Sequence, residues 1–154
     1  MQMGHELTIA VLDLDRFKSI NDTFGHAAGD RVLVEVAARL ARGMRASDMI
    51  ARYGGEEFAM LFPQTNRASA AVRVETLRAQ IAAFPMLTAQ GEELTITCSA
   101  GIAELPLDGL DAGTLLARAD RRLLAAKRAG RDRVYADDSE LACRSDFSPT
   151  SVSG

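Results

Sequence analysis

Two adjacent glutamates lie in a predicted turn, where no structural rule calls for two like charges. The turn is Gly54-Gly55-Glu56-Glu57, with apolar runs on either side at residues 49–51 and 58–62. Two strand-like runs joined by a glycine pair predict a β-hairpin. Glycine supplies the backbone angles of a turn, but neighbouring carboxylates repel each other. A bound divalent cation would explain them, because such ions take oxygen ligands. The alternative is a solvated acidic turn.

A second source of carboxylates lies at the end of the first predicted strand. Residues 7–14 are apolar almost throughout, and the chain continues through Asp13-Leu14-Asp15, which predicts a buried, central strand. Because side chains alternate along a strand, Asp13 and Asp15 share one face. If the hairpin lies beside this strand, Asp13 and Glu56 converge and can hold Mg²⁺ for phosphoryl chemistry. Asp15 could instead cap the next turn.

Several cations and polar side chains have two interpretations. Lys127 and Arg131, four residues apart near the end of the last predicted helix, either complement the helix dipole or clamp a phosphate. Lys18 has the same ambiguity. Asn21 and Asp30 are ordinary residues for turns and helix ends, yet an amide and a carboxylate together can bind the donor and acceptor edge of guanine.

Length and composition place the chain among soluble single-domain proteins. It has 154 residues, of which 47% are hydrophobic and 25% charged, with a net charge of -3. The acidic balance argues against a nucleic-acid partner, and the apolar runs are too short to cross a bilayer. Cys98 and Cys143 have no metal-ligand spacing and imply no disulfide framework. We therefore expect a cytoplasmic location, with no signal peptide.

The apolar periodicity predicts the element order β-α-α-β-β-α-β-α-β. The predicted strands are residues 7–14, the hairpin 48–62, 93–105 and 133–135, and the predicted helices are 17–24, 29–43, 69–84 and 110–129. This order predicts an α+β fold, with a central five-stranded, mostly antiparallel sheet flanked by helices in a ferredoxin-like arrangement. Residues 1–6 are expected to form an extension and 137–154, rich in Ser, Asp, Thr and Pro, a disordered tail.

Details of these elements are also predicted. Asp30 and Asp111 are the expected N-caps of the second and last helices, and Gly130 is expected just after the end of the last helix. Gly101 within a strand predicts a close backbone approach or a bulge. The side chains expected to face inward include Val72, Leu77 and Ile81 in the third helix and Leu123 and Leu124 in the last.

Two segments together resemble the conserved blocks of one family. The run from Asp13 through Asp30 and the loop Gly54-Gly55-Glu56-Glu57-Phe58 are similar to the GGDEF domain, the diguanylate cyclase family, whose signature takes Asp or Glu at its third position. The resemblance covers residues 7–135, so residues 7–136 are expected to form a GGDEF domain with a nucleotidyl-cyclase-like fold. It implies that two GTP molecules, one in each protomer of a homodimer, are joined into cyclic di-GMP with loss of two pyrophosphates.

The resemblance also implies a role for each matching residue. The catalytic residues would be Glu56, Asp13 and Lys18, the metal ligands Asp13, Glu56 and the Leu14 carbonyl, and the substrate-binding residues Phe17, Asn21, Asp30, Gly54, Gly55, Lys127 and Arg131. Glu56 would also help deprotonate the attacking 3′-hydroxyl. Each active site would take two Mg²⁺ ions, with Mn²⁺ as an alternative.

A further segment resembles the family's product-inhibition site. Arg45-Ala46-Ser47-Asp48 fits the Arg-x-x-Asp pattern at which cyclic di-GMP docks, and an arginine fork suits a phosphate or a guanine edge. Family members often add an arginine from the following helix, but Thr76 stands there, with Arg73 and Arg78 as flanking substitutes.

The start of the chain departs from the family. Members usually open with an Asp-x-Leu-Thr-Gly-Leu-x-Asn-Arg segment and a helix, which this sequence lacks. We therefore expect a fragment or a trimmed domain whose longer protein carries an upstream sensory or regulatory domain. Two hypotheses remain: a working cyclase, or a catalytically weak domain that binds GTP or cyclic di-GMP for a partner.

Overall fold

A computed structural model of the chain describes residues 6–138. Its elements are β1 (Leu7–Leu14), α1 (Phe17–Phe24), α2 (His26–Arg42), β2 (Met49–Arg52), β3 (Glu57–Pro63), α3 (Arg67–Ala83), β4 (Met86–Leu87), β5 (Glu93–Leu94), β6 (Cys98–Leu105), α4 (Ala112–Arg128) and β7 (Val134–Tyr135). Residues 1–5 of the predicted extension, residues 139–154 of the predicted tail and Cys143 lie outside the described residues.

The main sheet has five strands in the order β2-β3-β1-β6-β7. All neighbouring pairs are antiparallel except β6 and β7, which are parallel. The predicted α+β class and the mostly antiparallel sheet are confirmed. None of the helices within residues 6–138 is both long and apolar enough to cross a membrane.

The central strand β1 is buried on both faces, as its apolar run predicts. Ala10, Leu12 and Leu14 belong to a core shared with α1, α2 and α3. Ile9 and Val11 belong to a second core under α4. By strand alternation, Asp13 continues the face that α4 covers.

The second helix begins earlier than predicted, and the assignment of Asp30 as its N-cap is wrong. Gly25, with φ 93°, ends α1 and immediately precedes α2. A left-handed glycine reverses the chain within one residue, so residues 26–29 join the helix instead of forming a loop. Asp30 therefore lies within α2.

The predicted strand 93–105 is divided into two strands. The segment β5 pairs with β4 in a separate two-stranded sheet, whereas β6 pairs with β1 in the main sheet. Polar and apolar residues alternate from Glu93 to Ser99, across the junction between β5 and β6, so periodicity alone gives no sign of the break.

Two predicted core positions are also wrong. Val72 is 67% exposed, while its neighbour Val74 is buried inside the α3 interface. Leu124 is 45% exposed, because the adjacent Leu123 faces the sheet. The last helix otherwise agrees with prediction, since Asp111 caps it by accepting from the Thr114 amide at 2.8 Å.

A buried arginine, not anticipated from the sequence, holds α4 against the sheet. Arg122 is 1% exposed and donates to the Ile102 carbonyl at 2.8 Å and to carboxylate oxygens of Asp108 and Asp138, each at 3.0 Å. Buried arginine needs such compensation, because an unpaired charge in the core is costly. Asp138 lies in the segment predicted as tail and is held by this contact.

Gly101 marks the closest approach of α4 to the sheet. A Cβ added there would lie 2.0 Å from the Ala119 carbonyl oxygen and 2.4 Å from the Leu123 amide nitrogen. Both are backbone atoms, so they can yield only if the helix moves. Of the two interpretations left open by the sequence, the close backbone approach is confirmed.

We expect Gly101→Ala to lower the free energy of unfolding by about 3 kcal/mol, because overpacking a rigid contact forces backbone displacement. Urea denaturation followed by circular dichroism measures this. Gly113→Ala is the matched control, since its Cβ would lie 3.4 Å from its nearest neighbour. Equal stability of the two variants would show that α4 does not pack tightly on β6.

Candidate active site

Antiparallel pairing of β1 with β3 brings the two carboxylate segments together. Asp13 lies opposite Glu57 in the register, and the Leu14 amide donates to the Glu56 carbonyl at 3.2 Å. Burial raises the pKa of Glu56, and the nearby charge of Asp13 raises it further, while Lys127 acts in the opposite direction. Asp13 and Glu56 therefore lie at the same end of the sheet.

Glu57 also belongs to this cluster, although the family resemblance assigned a role to Glu56 alone of the two glutamates. Burial raises the pKa of Glu57, and Asp13, directly opposite, raises it further. The useful signal was the register: a residue paired with Asp13 across an antiparallel ladder must share its face.

The hairpin turn is held by Arg52, which sequence reasoning also missed. Its guanidinium donates to the Gly55 carbonyl at 2.7 and 3.1 Å, and the Tyr53 amide donates to the Glu57 carbonyl at 2.7 Å. Neither Gly54 nor Gly55 has a positive φ, so the expected need for glycine backbone angles is wrong. Gly55 has open space where a Cβ would lie, which leaves the turn accessible.

Lys127 provides the positive charge beside the carboxylates. Its Nζ lies 2.5 Å from Asp13 Oδ2, so the side chain reaches from α4 to the end of β1, on the face that α4 covers. The helix ends directly after it in a Schellman motif, in which Gly130 donates to the Lys127 carbonyl and Arg131 to the Ala126 carbonyl. Lys127 therefore does more than complement the helix dipole.

Asp15 does not cap the following helix. The N-cap of α1 is Arg16, without a side-chain hydrogen bond. Asp15 is buried and accepts from Thr97 Oγ1 and Ser99 Oγ, both at 2.7 Å, and from the Asp132 amide at 2.9 Å. Its partners come from β6, the segment preceding β6 and the segment after α4.

Asn21 and Asp30 lie on either side of the α1–α2 reversal. Asn21 Oδ1 is buried and has no hydrogen-bond partner among the described residues. A Cβ on Gly29 would lie 1.8 Å from this oxygen, so glycine is what leaves room for the amide. Asp30 is exposed and lines a groove between α2 and the β2–β3 hairpin. The Asn21 oxygen can therefore accept a hydrogen bond from water or from a ligand.

Phe17 and Lys18, the remaining predicted site residues between Asp13 and Asp30, lie near the end of β1. Phe17 begins α1, and its ring is buried in the core. Its amide is one of the first amides of a helix, which lack intrahelical acceptors and favour anions. Lys18 is exposed and pairs with Asp22 at 3.3 Å; its recorded partner is thus in its own helix and not in the carboxylate cluster.

Arg45 and Asp48 lie together in the segment before β2. Asp48 Oδ2 accepts from the Arg45 amide at 2.7 Å and from Arg73 Nη2 at 2.6 Å. The Asp48 side chain is 1% exposed, and Arg73 stacks on the Phe62 ring, 4.8 Å from its centroid. Asp48 Oδ1 and Arg73 Nη1 are buried without partners among the described residues.

Of the two arginines that flank Thr76, Arg73 is the one that reaches Asp48. Arg78 pairs with Glu75 at 2.5 Å and with Asp132. The Thr76 hydroxyl donates to a carbonyl of its own helix at 3.0 Å.

Comparison with known proteins decides the family. The model of the family described as "Diguanylate cyclase, GGDEF domain" matches residues 1–133. The chain belongs to the GGDEF domain family.

Individual relatives agree with this assignment. Diguanylate cyclase DgcP of Pseudomonas aeruginosa is 52% identical over 132 residues, which make up 85% of this chain and 19% of that protein. The chain thus spans about a fifth of that relative's length.

Two solved structures are also similar to this GGDEF domain. The GGDEF domain of DgcB from Caulobacter crescentus, in complex with c-di-GMP, has a TM-score of 0.81 and 40% identity, covering 87% of this chain and 79% of that one. The active GGEEF domain of a diguanylate cyclase from Vibrio cholerae has a TM-score of 0.79 and 33% identity, covering 88% and 85%.

The donor atoms of this GGDEF domain fit Mg²⁺. No cluster of three His, Cys, Asp or Glu side chains suited to a metal occurs within residues 6–138. Asp13 and Glu56 offer two carboxylates, and Mg²⁺ usually takes one or two, with water and substrate phosphates completing its shell. The Lys127 ammonium on Asp13 shows that a cation is favoured there.

The ion pair between Arg73 and Asp48 makes a prediction about stability and pH. Burial raises the pKa of Asp48, but Arg73 and Arg45 outweigh it and hold that pKa below its ordinary value of 3.8. The stabilisation is therefore full above that value and is lost as the pH falls through the folded-state pKa. We expect Arg73→Met to cost about 2 kcal/mol at neutral pH, because it leaves a buried carboxylate unpaired.

Urea denaturation at pH 7 and at pH 3 measures both effects. The cost of Arg73→Met should shrink at pH 3, and Asp48→Asn should recover much of it at pH 7. Thr76→Ala, one turn along α3, is the control and should be nearly neutral. A cost of Arg73→Met that is unchanged between the two pH values would contradict the ion pair.

Proposed function

We propose that this GGDEF domain is a diguanylate cyclase, which condenses two GTP molecules into cyclic di-GMP and two pyrophosphates with Mg²⁺. The observation that carries the proposal is the convergence of Asp13, Glu56 and Lys127 at one end of the sheet. A 52% identical relative bears the name diguanylate cyclase, and a similar GGEEF domain is described as active, which supports the same activity.

The reaction requires two equivalent displacements. In each, the 3′-oxygen of one GTP bonds to the α-phosphorus of the other, the bond from that phosphorus to the β-phosphate oxygen breaks, and pyrophosphate leaves. The 3′-hydroxyl proton must pass to a base. Glu56 suits this role, because its raised pKa brings it closer to the operating pH.

The remaining charged groups would manage the triphosphate. Asp13, Glu56 and the Leu14 carbonyl would hold Mg²⁺, two ions in each site, with Mn²⁺ as an alternative. The bound ion would neutralise phosphate charge and stabilise the departing pyrophosphate. Lys127 would exchange its pairing with Asp13 for a phosphate.

Other residues would position the substrate. Arg131 and Lys18 would contact phosphates, and the Phe17 amide would donate to one. Gly54 and Gly55 would allow the nucleotide to approach the turn backbone.

Guanine recognition would fall to Asn21 and Asp30. The unpartnered Asn21 Oδ1 requires a donor, and the guanine edge offers N1–H and the 2-amino group. Asp30 is a second acceptor for the same edge. Adenine lacks both of these donors, so this pair of acceptors favours GTP.

Two GTP molecules held by two protomers imply a homodimer during catalysis, with dimerisation promoted by an upstream sensory or regulatory domain of a longer protein. The product would act as inhibitor at Arg45 and Asp48. A similar GGDEF domain has been solved in complex with c-di-GMP, which supports binding of this dinucleotide.

The decisive test of activity is the substitution Glu56→Gln. We expect it to lower the rate of cyclic di-GMP formation at least about 100-fold, since it removes both a metal ligand and a base. The chain is incubated at high concentration with GTP and Mg²⁺, and the product is measured by chromatography.

Glu93→Gln, at an exposed position in β5, is the matched control and should keep the parent rate. Undiminished turnover by Glu56→Gln would overturn the assignment of Glu56. If the parent chain forms no product but still binds GTP, the alternative of a binding module is correct.

Feedback inhibition is tested at Arg45. We expect Arg45→Ala to raise the concentration of cyclic di-GMP that halves the initial rate by about tenfold or more, because a bidentate donor is lost. Arg42→Ala, another exposed arginine nearby, should leave this concentration unchanged. Identical inhibition of the parent and Arg45→Ala would mean that the product binds elsewhere.

A further inference from the structure

Asp15 is a buried carboxylate that the proposed chemistry does not use. It lies two residues beyond Asp13 and makes hydrogen bonds to Thr97, Ser99 and the Asp132 amide. The Ser99 hydroxyl donates to Asp15 Oδ1 and accepts from the same Asp132 amide at 3.0 Å. The Asp132 N–H therefore donates to both Asp15 and Ser99. The Ser99 hydroxyl is itself oriented by its hydrogen bond to Asp15.

The backbone that Asp15 holds is in an unfavourable conformation. Arg131 and Asp132 are consecutive non-glycine residues with φ of 66° and 52°, a region that L-residues avoid unless their surroundings impose it. The Schellman bond from the Arg131 amide to Ala126 fixes the chain on one side, and the Asp132 amide fixes it on the other.

A third contact restrains the same residue from a different element. The Asp132 carboxylate pairs with Arg78 of α3, which is itself held by Glu75 at 2.5 Å. Asp132 is therefore fixed through its amide by β1 and β6 and through its side chain by α3. Arg131, immediately before it, takes its backbone direction from these contacts.

We propose that Asp15 is a positioning residue for the nucleotide triphosphate. By holding the Asp132 amide, it fixes the turn after α4 so that Arg131 is directed towards the end of β1, where Asp13 and Lys127 lie. The same strand end would thus supply the metal ligand and align the phosphate-binding arginine. This inference rests on the proposed role of Arg131 in phosphate binding.

A purely structural role makes a different prediction. If Asp15 only joins β1 to β6, its loss would lower stability and weaken every nucleotide alike. If it positions Arg131, its loss would weaken ligands that carry β- and γ-phosphates and spare those that lack them.

The test compares the affinities of 3′-deoxy-GTP, which cannot cyclise, and GMP in the presence of Mg²⁺ by titration calorimetry. We expect Asp15→Asn to weaken 3′-deoxy-GTP about tenfold, the loss of one charge-assisted contact, and to leave GMP nearly unchanged. Asn preserves the size of the side chain but has one acceptor oxygen in place of two, so it cannot accept from Ser99 and also from Thr97 and the Asp132 amide. In an Arg131→Ala background, Asp15→Asn should add little.

Matched controls separate positioning from stability. Asp108→Asn changes another buried, hydrogen-bonded carboxylate, held by Arg122 and Arg67, and should lower stability without altering the ratio of the two affinities. Ser99→Ala should weaken 3′-deoxy-GTP in the same direction as Asp15→Asn, and it serves as the test if Asp15→Asn does not fold. Thr97→Val, which leaves both acceptors of the Asp132 amide in place, should have a smaller effect.

The outcomes distinguish this inference from the function on which it rests. If Arg131→Ala weakens 3′-deoxy-GTP but Asp15→Asn and Ser99→Ala do not, or weaken GMP equally, the positioning role of Asp15 is wrong. If Arg131→Ala itself has no effect on 3′-deoxy-GTP, the phosphate role of Arg131 is wrong and the inference falls with it.

Discussion

The antiparallel pairing of β1 with both β3 and β6 is the constraint on which the rest of the domain depends. It places Asp13 between Glu57 on one side and Ser99 on the other. A slip of one residue would turn Asp13 towards the main apolar core and turn Leu12 and Leu14 towards α4. Since both faces of β1 are buried, such a slip is strongly disfavoured. The same packing that makes β1 a core strand therefore fixes the position of its terminal carboxylates.

This arrangement concentrates negative charge. Glu56 and Glu57 both lie near Asp13, and burial, followed by the negative charge of Asp13, raises the pKa of both glutamates. Lys127 offsets part of that repulsion through its contact with Asp13. One lysine does not balance three carboxylates, so the site attracts further positive charge. The Mg²⁺ proposed above would meet this requirement, because hard divalent cations take carboxylate ligands.

The sequence was informative where local pattern determines structure. The apolar run of β1, the hairpin between two apolar runs and the Asp111 cap each depend on neighbouring residues, and the structure agrees with all three, although the hairpin turn does not use glycine backbone angles. The same reasoning failed where a single conformation decided the outcome. Gly25, with φ 93°, allows α2 to begin at His26, where a loop was predicted. A pattern of apolar residues does not predict such a backbone angle.

Partners that are distant in sequence were the other source of error. In the sequence, Arg122 looks like any solvent-exposed arginine on a helix. Its burial depends on the Ile102 carbonyl of β6, to which it donates. Asp15 was a plausible cap until residues about 80 to 120 positions away proved to surround it. Glu57 would have been found if a register between β1 and β3 had been predicted, because that pairing places it opposite Asp13.

The helix α3 connects the two regions to which the sequence gave function. Arg73 contacts Asp48 in the segment resembling an inhibitory site, and Arg78 contacts Asp132 next to Arg131. Between them, Val74, Leu77 and Ile81 anchor the helix in the main core. One packed helix therefore contacts both the segment before β2, through Arg73, and the turn after α4, through Arg78. Thr76 does not contact Asp48: within the described residues, its hydroxyl donates to the Val72 carbonyl of its own helix. Arg73, three residues earlier in α3, donates to the Asp48 carboxylate directly.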